Sequence, residues 1–392
     1  MSGVQIADTS RNVSPREAPG AAGQPSGPAH GAGDERLRRS SLLVKLMRRP
    51  ELGAIGGLAV VLTFFAFTAN GSMFTLNGLM TVLNPSAQLG IMGVAAALLM
   101  IGGEFDLSIG SMVAFAGLVL GVLLLVLHLP LLVAVIGTLV IAGGIGALNG
   151  QLVIRTRLPS FIVTLAFLFI LRGLSLVGLK IATGGSTQMR GFRAVVDGSV
   201  LAPFFSGNAF GGLFRALAAH GVIEALPDGS PAAPGVPIAV VWFVLITAIA
   251  TWVLLRTKLG NWIFASGGDA NAARNSGVPV DMVKTGLFTL TACSAALVAV
   301  LTVFDAGSTD AMRGLQKEFQ AVIAAVIGGC LLTGGYGSAI GAFFGSIIFG
   351  IVSIGLTYTG FDSDWFQVFL GAMLLIAVIF NNGLRRKVTG ER

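Results

Sequence analysis

Two cysteines, three histidines and no Gly-Lys dipeptide in 392 residues close off several kinds of chemistry at once. Cys293 and Cys330 both lie inside apolar runs. Neither a disulfide framework nor a thiolate metal site is expected, and both read as small buried hydrophobes. His30, His128 and His220 are scattered without ligand or triad spacing, which leaves no histidine-based metal or catalytic centre. A phosphate-cradling loop of the G-x-x-x-x-G-K-[ST] kind needs Gly-Lys, so nucleotide binding by this chain is not expected. Charge is scarce as well, at 11% of residues. The formal net charge of +7 comes from Lys and Arg in short flanks beside apolar segments. These form no basic stripe, and nucleic acid is not an expected partner.

What the chain has instead is apolar length. Hydrophobic residues make up 54% of it, glycine contributes 55 residues and the mean hydropathy is +0.85. That is the profile of a polytopic, all-α membrane protein whose helices pack closely through small residues. Residues 1–41 are rich in Ser, Pro, Gly and Ala and too polar to bury a core, so they read as a disordered tail. The first apolar run begins near Leu52, too late for a cleaved signal peptide, and is expected to stay as a signal anchor. At roughly 20 residues per crossing, about ten spans fit: 53–69, 79–101, 109–128, 131–154, 158–178, 238–255, 284–304, 319–334, 338–358 and 364–381. They define a transmembrane domain over 42–385, followed by a short tail at 386–392. Positive charge sorts the loops. Arg36, Arg38, Arg39, Lys45, Arg48 and Arg49 precede the first span, Arg155 and Arg157 follow the fourth, Arg256, Lys258, Arg274 and Lys284 lie between the sixth and seventh, and Arg385, Arg386 and Lys387 follow the tenth. The positive-inside rule puts all of these, and both termini, in the cytoplasm of a multi-pass bacterial inner-membrane protein.

Charged residues in a bilayer are costly, roughly 2.5–3.5 kcal/mol each on insertion scales, and therefore mark places to look. The stretch GGEFDLSIGS at 102–111 sets Glu104 and Asp106 at the expected cytoplasmic turn between the second and third spans. Asp106 or Ser108 can cap the third span, where an acid near a helix N-terminus gains roughly 0.3–1 kcal/mol; direct contact with a transported solute is the alternative. Arg172 is expected near the outer end of the fifth span, able to snorkel outward, and Glu318 as a cap at the outer start of the eighth. Between the sixth and seventh spans, DANAARNSG reads as a helix of about two turns, capped by Asp269, stopped by Gly277 and barred from continuing by Pro279. Its Ala272/Ala273 face is small and Arg274 and Asn275 can bond outward, the form of a knob that docks in another protein's groove. Residues 179–237 are the one sizeable extracytoplasmic segment, in which 210–226 reads equally as a short surface helix or as a packed connector.

Four stretches, in order, carry a resemblance: GGEFDLSIGS, LNGQLVIRTRLPSFIVTLAFLFILRG, FASGGDANAARNSG and KEFQAVIAAVIGGCLLTGGYGSAIGAFFGS. They are similar to the motifs of the permease subunits of carbohydrate ABC importers of the ribose/xylose/galactose type, across roughly residues 50–385. Asp269 stands where that family usually has Asn, Asn271 where Glu is common and Asn275 where an apolar residue often sits, so the docking helix is more polar than the pattern. The resemblance implies a pore subunit that pairs with a second copy or a paralogue. A periplasmic sugar-binding protein would dock on the outer loops near 70–78, 179–237, 305–317 and 359–363. The chain would couple to a separate ABC ATPase, which holds the ATP and Mg²⁺. By that analogy Gly268, Asp269, Ala272, Ala273, Arg274, Ser276 and Gly277 belong to a coupling helix in a cytoplasmic loop at 257–282. Gly103, Glu104, Asp106, Ser108, Gly110 and Ser111 form the family's helix-turn motif.

A sugar path fed by a binding protein needs only weak polar walls, for which Asn149, Ser160, Phe161 and Thr164 are candidates. The expected function is non-enzymatic: inward transport of a monosaccharide or polyol by alternating access, driven by the partner ATPase. Two other readings stay open. One is an ion-coupled secondary carrier, against which stands the scarcity of ionisable residues at mid-span. The other is a permease of the same family for nucleosides or branched-chain amino acids.

Overall fold

The computed structural model describes residues 50–362 and 364–389, with side chains for 51–362 and 364–379. The tail at 1–41, the basic cluster at 36–49 and residues 390–392 lie outside the described residues. The first described helix, α1 (Pro50–Thr68), leads through a 3-10 turn at Gly71–Phe74 into α2 (Leu76–Ile101). Thr75 starts α2: its hydroxyl accepts the Gly78 amide at 3.1 Å, satisfying one of the amides that the first turn leaves free. A glycine-led break over 102–108 separates α2 from α3 (Ile109–Gly121), which widens into a π-helical turn at Val122–Val126. α4 (Leu131–Thr156) stops at Arg157, which is left-handed with φ 57°, and Pro159 then leads α5 (Ser160–Thr183).

The segment after α5 carries β1 (Gln188–Arg190), α6 (Phe192–Val196), β2 (Asn208–Ala209), α7 (Gly211–Ala219) and β3 (Val236–Pro237). Next come α8 (Ile238–Arg256), α9 (Lys258–Gly268), α10 (Ala270–Asn275) and α11 (Val280–Ala306). The chain closes with β4 (Ser308–Asp310), α12 (Lys317–Ile327), α13 (Ala339–Thr359) and α14 (Trp365–Thr389). β1 pairs antiparallel with β4, Gln188 opposite Asp310, and so ties the segment after α5 to the one after α11. β2 pairs with β3 in the same sense. In the loop between α7 and β3, the Ser230 hydroxyl and amide both donate to Asp228 and hold its carboxyl below the usual carboxylate range.

Among the described residues eight helices are long and apolar enough to cross a membrane: α1, α2, α3 with its π turn, α4, α5, α8, α11 and α13. α14 adds a shorter apolar stretch, Trp365–Ile379. The tenfold count therefore needs correction at 319–334, which is not a spanning helix. α12 has 11 residues, about 16 Å at 1.5 Å per residue against a hydrocarbon core of about 30 Å. It ends because the following GGCLLTGGYGS turns repeatedly, with Gly329, Gly334, Gly335 and Gly337 all at positive φ. Apolar composition hides such a break.

The chain nevertheless changes ends here. α13 lies parallel to α1: Ser338 donates to Glu51 at their first turns, 2.9 Å, and the Asn70 amide donates to the Tyr358 carbonyl at their last, 3.0 Å. The short α12 and the glycine-rich stretch together make the return crossing. The stretch is enclosed at its ends, where Cys330 and Ser338 are buried, while Leu332 and Tyr336 between them face outward.

Burial separates centre from periphery. The apolar window of α2 is 78% buried and that of α1 only 11%, so α2 runs through the middle and α1 along the outside. Leu89, Met92 and Leu99 of α2, Met112 of α3 and Phe288 of α11 fill the core. The outward residues of α4 and α5, such as Val140, Phe169 and Val177, are apolar and exposed, as surfaces facing lipid or another apolar partner must be.

Candidate transport and coupling site

The 102–108 break is held by side chains from three other helices. The Phe105 amide donates to Ser160 Oγ and the Leu107 amide to Thr164 Oγ1, both at 3.1 Å and both from α5. Asp106 is 5% exposed. Its Oδ1 accepts from the Ser108 amide (2.9 Å) and hydroxyl (2.6 Å), and its Oδ2 accepts from Thr291 Oγ1 of α11 (2.6 Å). From α4, Asn149 Nδ2 donates to Ser108 Oγ at 3.1 Å. Asp106 thus closes a turn onto Ser108 just ahead of α3, and the first-turn amides of α3 receive no side-chain cap, from Ser108 or from Asp106. Asp106 ties the start of α3 directly to α11 through Thr291, and through Ser108 Oγ, which accepts from Asn149, to α4.

Of the four residues expected to line a path, Asn149, Ser160 and Thr164 are gathered around this turn. The two hydroxyls receive backbone amides, and Asn149 Oδ1 has no partner. Phe161 points away and is exposed. Ser111 Oγ donates back to the Ser108 carbonyl, and Gly110 leaves room for the Glu318 carboxylate, which a Cβ there would overlap. Glu104 forms an ion pair with Lys284 of α11 at 2.5 Å, each side chain only 13% exposed.

The end of α8 leads into the second part of the site. Thr257 caps α9 through the Gly260 amide, and Asp269 caps α10, its Oδ1 accepting from the Asn271 (2.9 Å) and Ala272 (3.0 Å) amides. At the other end the Val278 amide donates to the Ala273 carbonyl and the Gly277 amide to the Arg274 carbonyl, with Gly277 at φ 83°. That double bond pattern with a left-handed glycine is the Schellman stop. The small face is split: Ala272 is exposed and Ala273 buried. Asn271, Asn275 and Ser276 are exposed too, whereas Arg274 turns back to pair with Asp281 at 2.6 Å. The result is a short rigid knob, fixed at both ends, standing out from the α9–α11 end of the bundle.

Residues 78–378 match the family described as "Branched-chain amino acid transport system / permease component". The chain belongs to this permease family. Across its length the permease is 31% identical to the ribose import permease protein RbsC of Escherichia coli K12, over 324 residues covering 82% of this chain and 91% of the relative. It is 29% identical to the xylose transport system permease protein XylH of the same strain, over 85% of this chain and 92% of that one. With the fructose import permease protein FrcC of Rhizobium meliloti it shares 28% identity over 85% and 86%. No solved structure matches the chain.

The permease also holds charges that sequence reading misplaces. A span ending at 178 puts Arg172 near its outer end; α5 in fact runs to Thr183, so Arg172 stands twelve residues from the start and eleven from the end of the helix. It does not snorkel. Its Nη1 donates to the Ala311 carbonyl at 3.2 Å and its Nη2 has no partner. Glu318 lies in the first turn of α12, as expected, but is 3% exposed, with Oε2 unpartnered. Thr309, Arg313 and Gln320 each contribute one more unpartnered buried atom. The segment between α11 and α12 is thus a polar wedge entering the bundle. The signal that could have found it is the density of polar residues, STDAMRGLQKEFQ, ahead of an apolar run.

Proposed function

We propose that the permease is the membrane subunit of an ABC importer that carries a monosaccharide or polyol inward across the bacterial inner membrane. Support for the solute class comes from relatives named for ribose, xylose and fructose, each matched over nearly its whole length. The family description names branched-chain amino acids, but these individual relatives are the nearer guide. The observation that carries the mechanism is α10, capped at both ends and presenting Ala272 and Asn275 outward. A helix so fixed is what a separate ATPase needs as a handle. In this reading ATP and Mg²⁺ bind in that ATPase, and the α9–α11 end and both termini are cytoplasmic. The β1–β4 and β2–β3 pairs order the opposite surface for a sugar-binding protein, and a second copy or a paralogue completes the pore.

The test is uptake into proteoliposomes containing the permease, its ATPase and its binding protein, with ribose, xylose and fructose offered in turn. ATP-dependent accumulation that needs all three components is the expected outcome, and Ala272→Glu should abolish co-purification of the ATPase. Arg172 and Glu318, placed at depth in the bundle, are the kind of groups that an ion-coupled carrier uses. Uptake by the permease alone under a proton or sodium gradient would establish that second reading instead.

A further inference from the structure

Three glycine pairs that lie far apart in the sequence meet at one point: Gly102-Gly103 at the end of α2, Gly267-Gly268 at the end of α9, and Gly334-Gly335 in the break between α12 and α13. The approach is backbone on backbone. A Cβ on Gly267 would overlap the Ile101 carbonyl oxygen and come within 2.8 Å of the Gly335 nitrogen. One on Gly334 would lie 2.8 Å from the Gly103 Cα, and one on Gly335 2.8 Å from the Gly268 Cα. Gly103, Gly334 and Gly335 have φ of 83°, 81° and 73°, where side chains are strained. The Gly335 amide donates to the Ile101 carbonyl at 2.9 Å. Beside the junction, the Glu104–Lys284 ion pair joins the 102–108 break to the first turns of α11.

We propose that this glycine junction is the positioning element through which displacement of α10 reaches the membrane domain, with Gly267 at its centre. The inference rests on the coupling role given to α10 above. Its physical basis is the lack of cushioning. Where side chains separate two elements, rotamer changes absorb a shift; where backbones touch in a close-packed interior, they move together. Gly267 lies two residues before the cap of α10 and touches both non-helical breaks. The first leads within four residues to the Asp106 hub that fastens α3, α4 and α11, and the second leads into α13. One short push is thereby divided between the starts of α3 and α13.

The experiment uses the complete reconstituted importer and measures sugar moved per ATP hydrolysed, with whichever of ribose, xylose or fructose the unmodified complex accumulates. Gly267→Ala should leave the ATPase bound and hydrolysing while the ratio falls about tenfold. Gly286→Ala, in open space on the exposed side of α11, should keep the unmodified ratio. Lys284→Gln leaves the glycine contacts in place and should lower the ratio severalfold, with recovery in the exchange Glu104→Lys/Lys284→Glu. An unmodified ratio in Gly267→Ala overturns the proposal. If Gly267→Ala does not assemble, the Lys284 pair decides: an unaltered ratio in Lys284→Gln, or no recovery in the exchange, overturns it equally. Absence of ATP-driven uptake by the unmodified complex would remove the transport reading itself, and the junction's role with it.

Discussion

Asp106 takes three hydrogen bonds on two oxygens, from Ser108 twice and from Thr291. Asp106→Asn preserves shape but turns an amide NH₂ toward one of those donors. The expected outcome is a loss of about 1–3 kcal/mol, the usual effect of leaving a buried polar group mismatched. It is read as a lower melting temperature in detergent, with the order of preference among sugars unchanged. A changed preference would make Asp106 a contact of the solute. That an acid turns the chain just ahead of α3 is readable locally, since Asp two residues before a serine is a turn-forming pattern. Its partners are not readable, because Thr291 is 185 residues away and only the fold brings it near. Arg172 fails for a different reason. Lys180 looks like the border of the span, whereas a cation in the last turn is a normal end-of-helix residue that lets the helix run on to Thr183.

At the level of elements, α10 and α12 mark the two extremes of legibility. The limits of α10 follow from Asp269, Gly277 and Pro279 because capping is chemistry between near neighbours. Asp269→Ala should therefore cost about 1 kcal/mol of helix stability. The partner would have to supply that when it binds, so the affinity for the ATPase should fall about fivefold in a titration of the purified subunits. An unchanged affinity would separate the cap from docking. α12 is hidden by its apolar composition: it stops at the left-handed Gly329, where the Gly329 amide donates to the Val326 carbonyl and the Cys330 amide to the Ala325 carbonyl, and only the later Gly334 and Gly335 are fitted against α2 and α9. The Glu318 carboxylate beside Gly110 belongs to that tertiary fit as well.

The whole molecule was legible in class and largely in layout: long apolar helices, a knob at one end and a built-up loop at the other. Charge sorting adds an orientation that can be checked directly. With an impermeant thiol reagent applied to intact spheroplasts, Asp228→Cys should be labelled at once and Asn275→Cys only after permeabilisation; the reverse pattern would invert the topology. Both positions are exposed; the native Cys330 is fully buried, and the half-buried Cys293 is changed to Ser in both variants. Which helices are central could not be read from hydropathy, because α1 and α2 are both apolar while only α2 is enclosed.

The pairing of α1 with α13 has a consequence for biogenesis. Their first turns are joined between residues 287 positions apart, and their last turns are joined as well. During synthesis α1 enters the membrane long before the helix that will flank it exists, and until then its Glu51 carboxylate and the Asn70 amide lack these partners. α1 is inserted early and seated late.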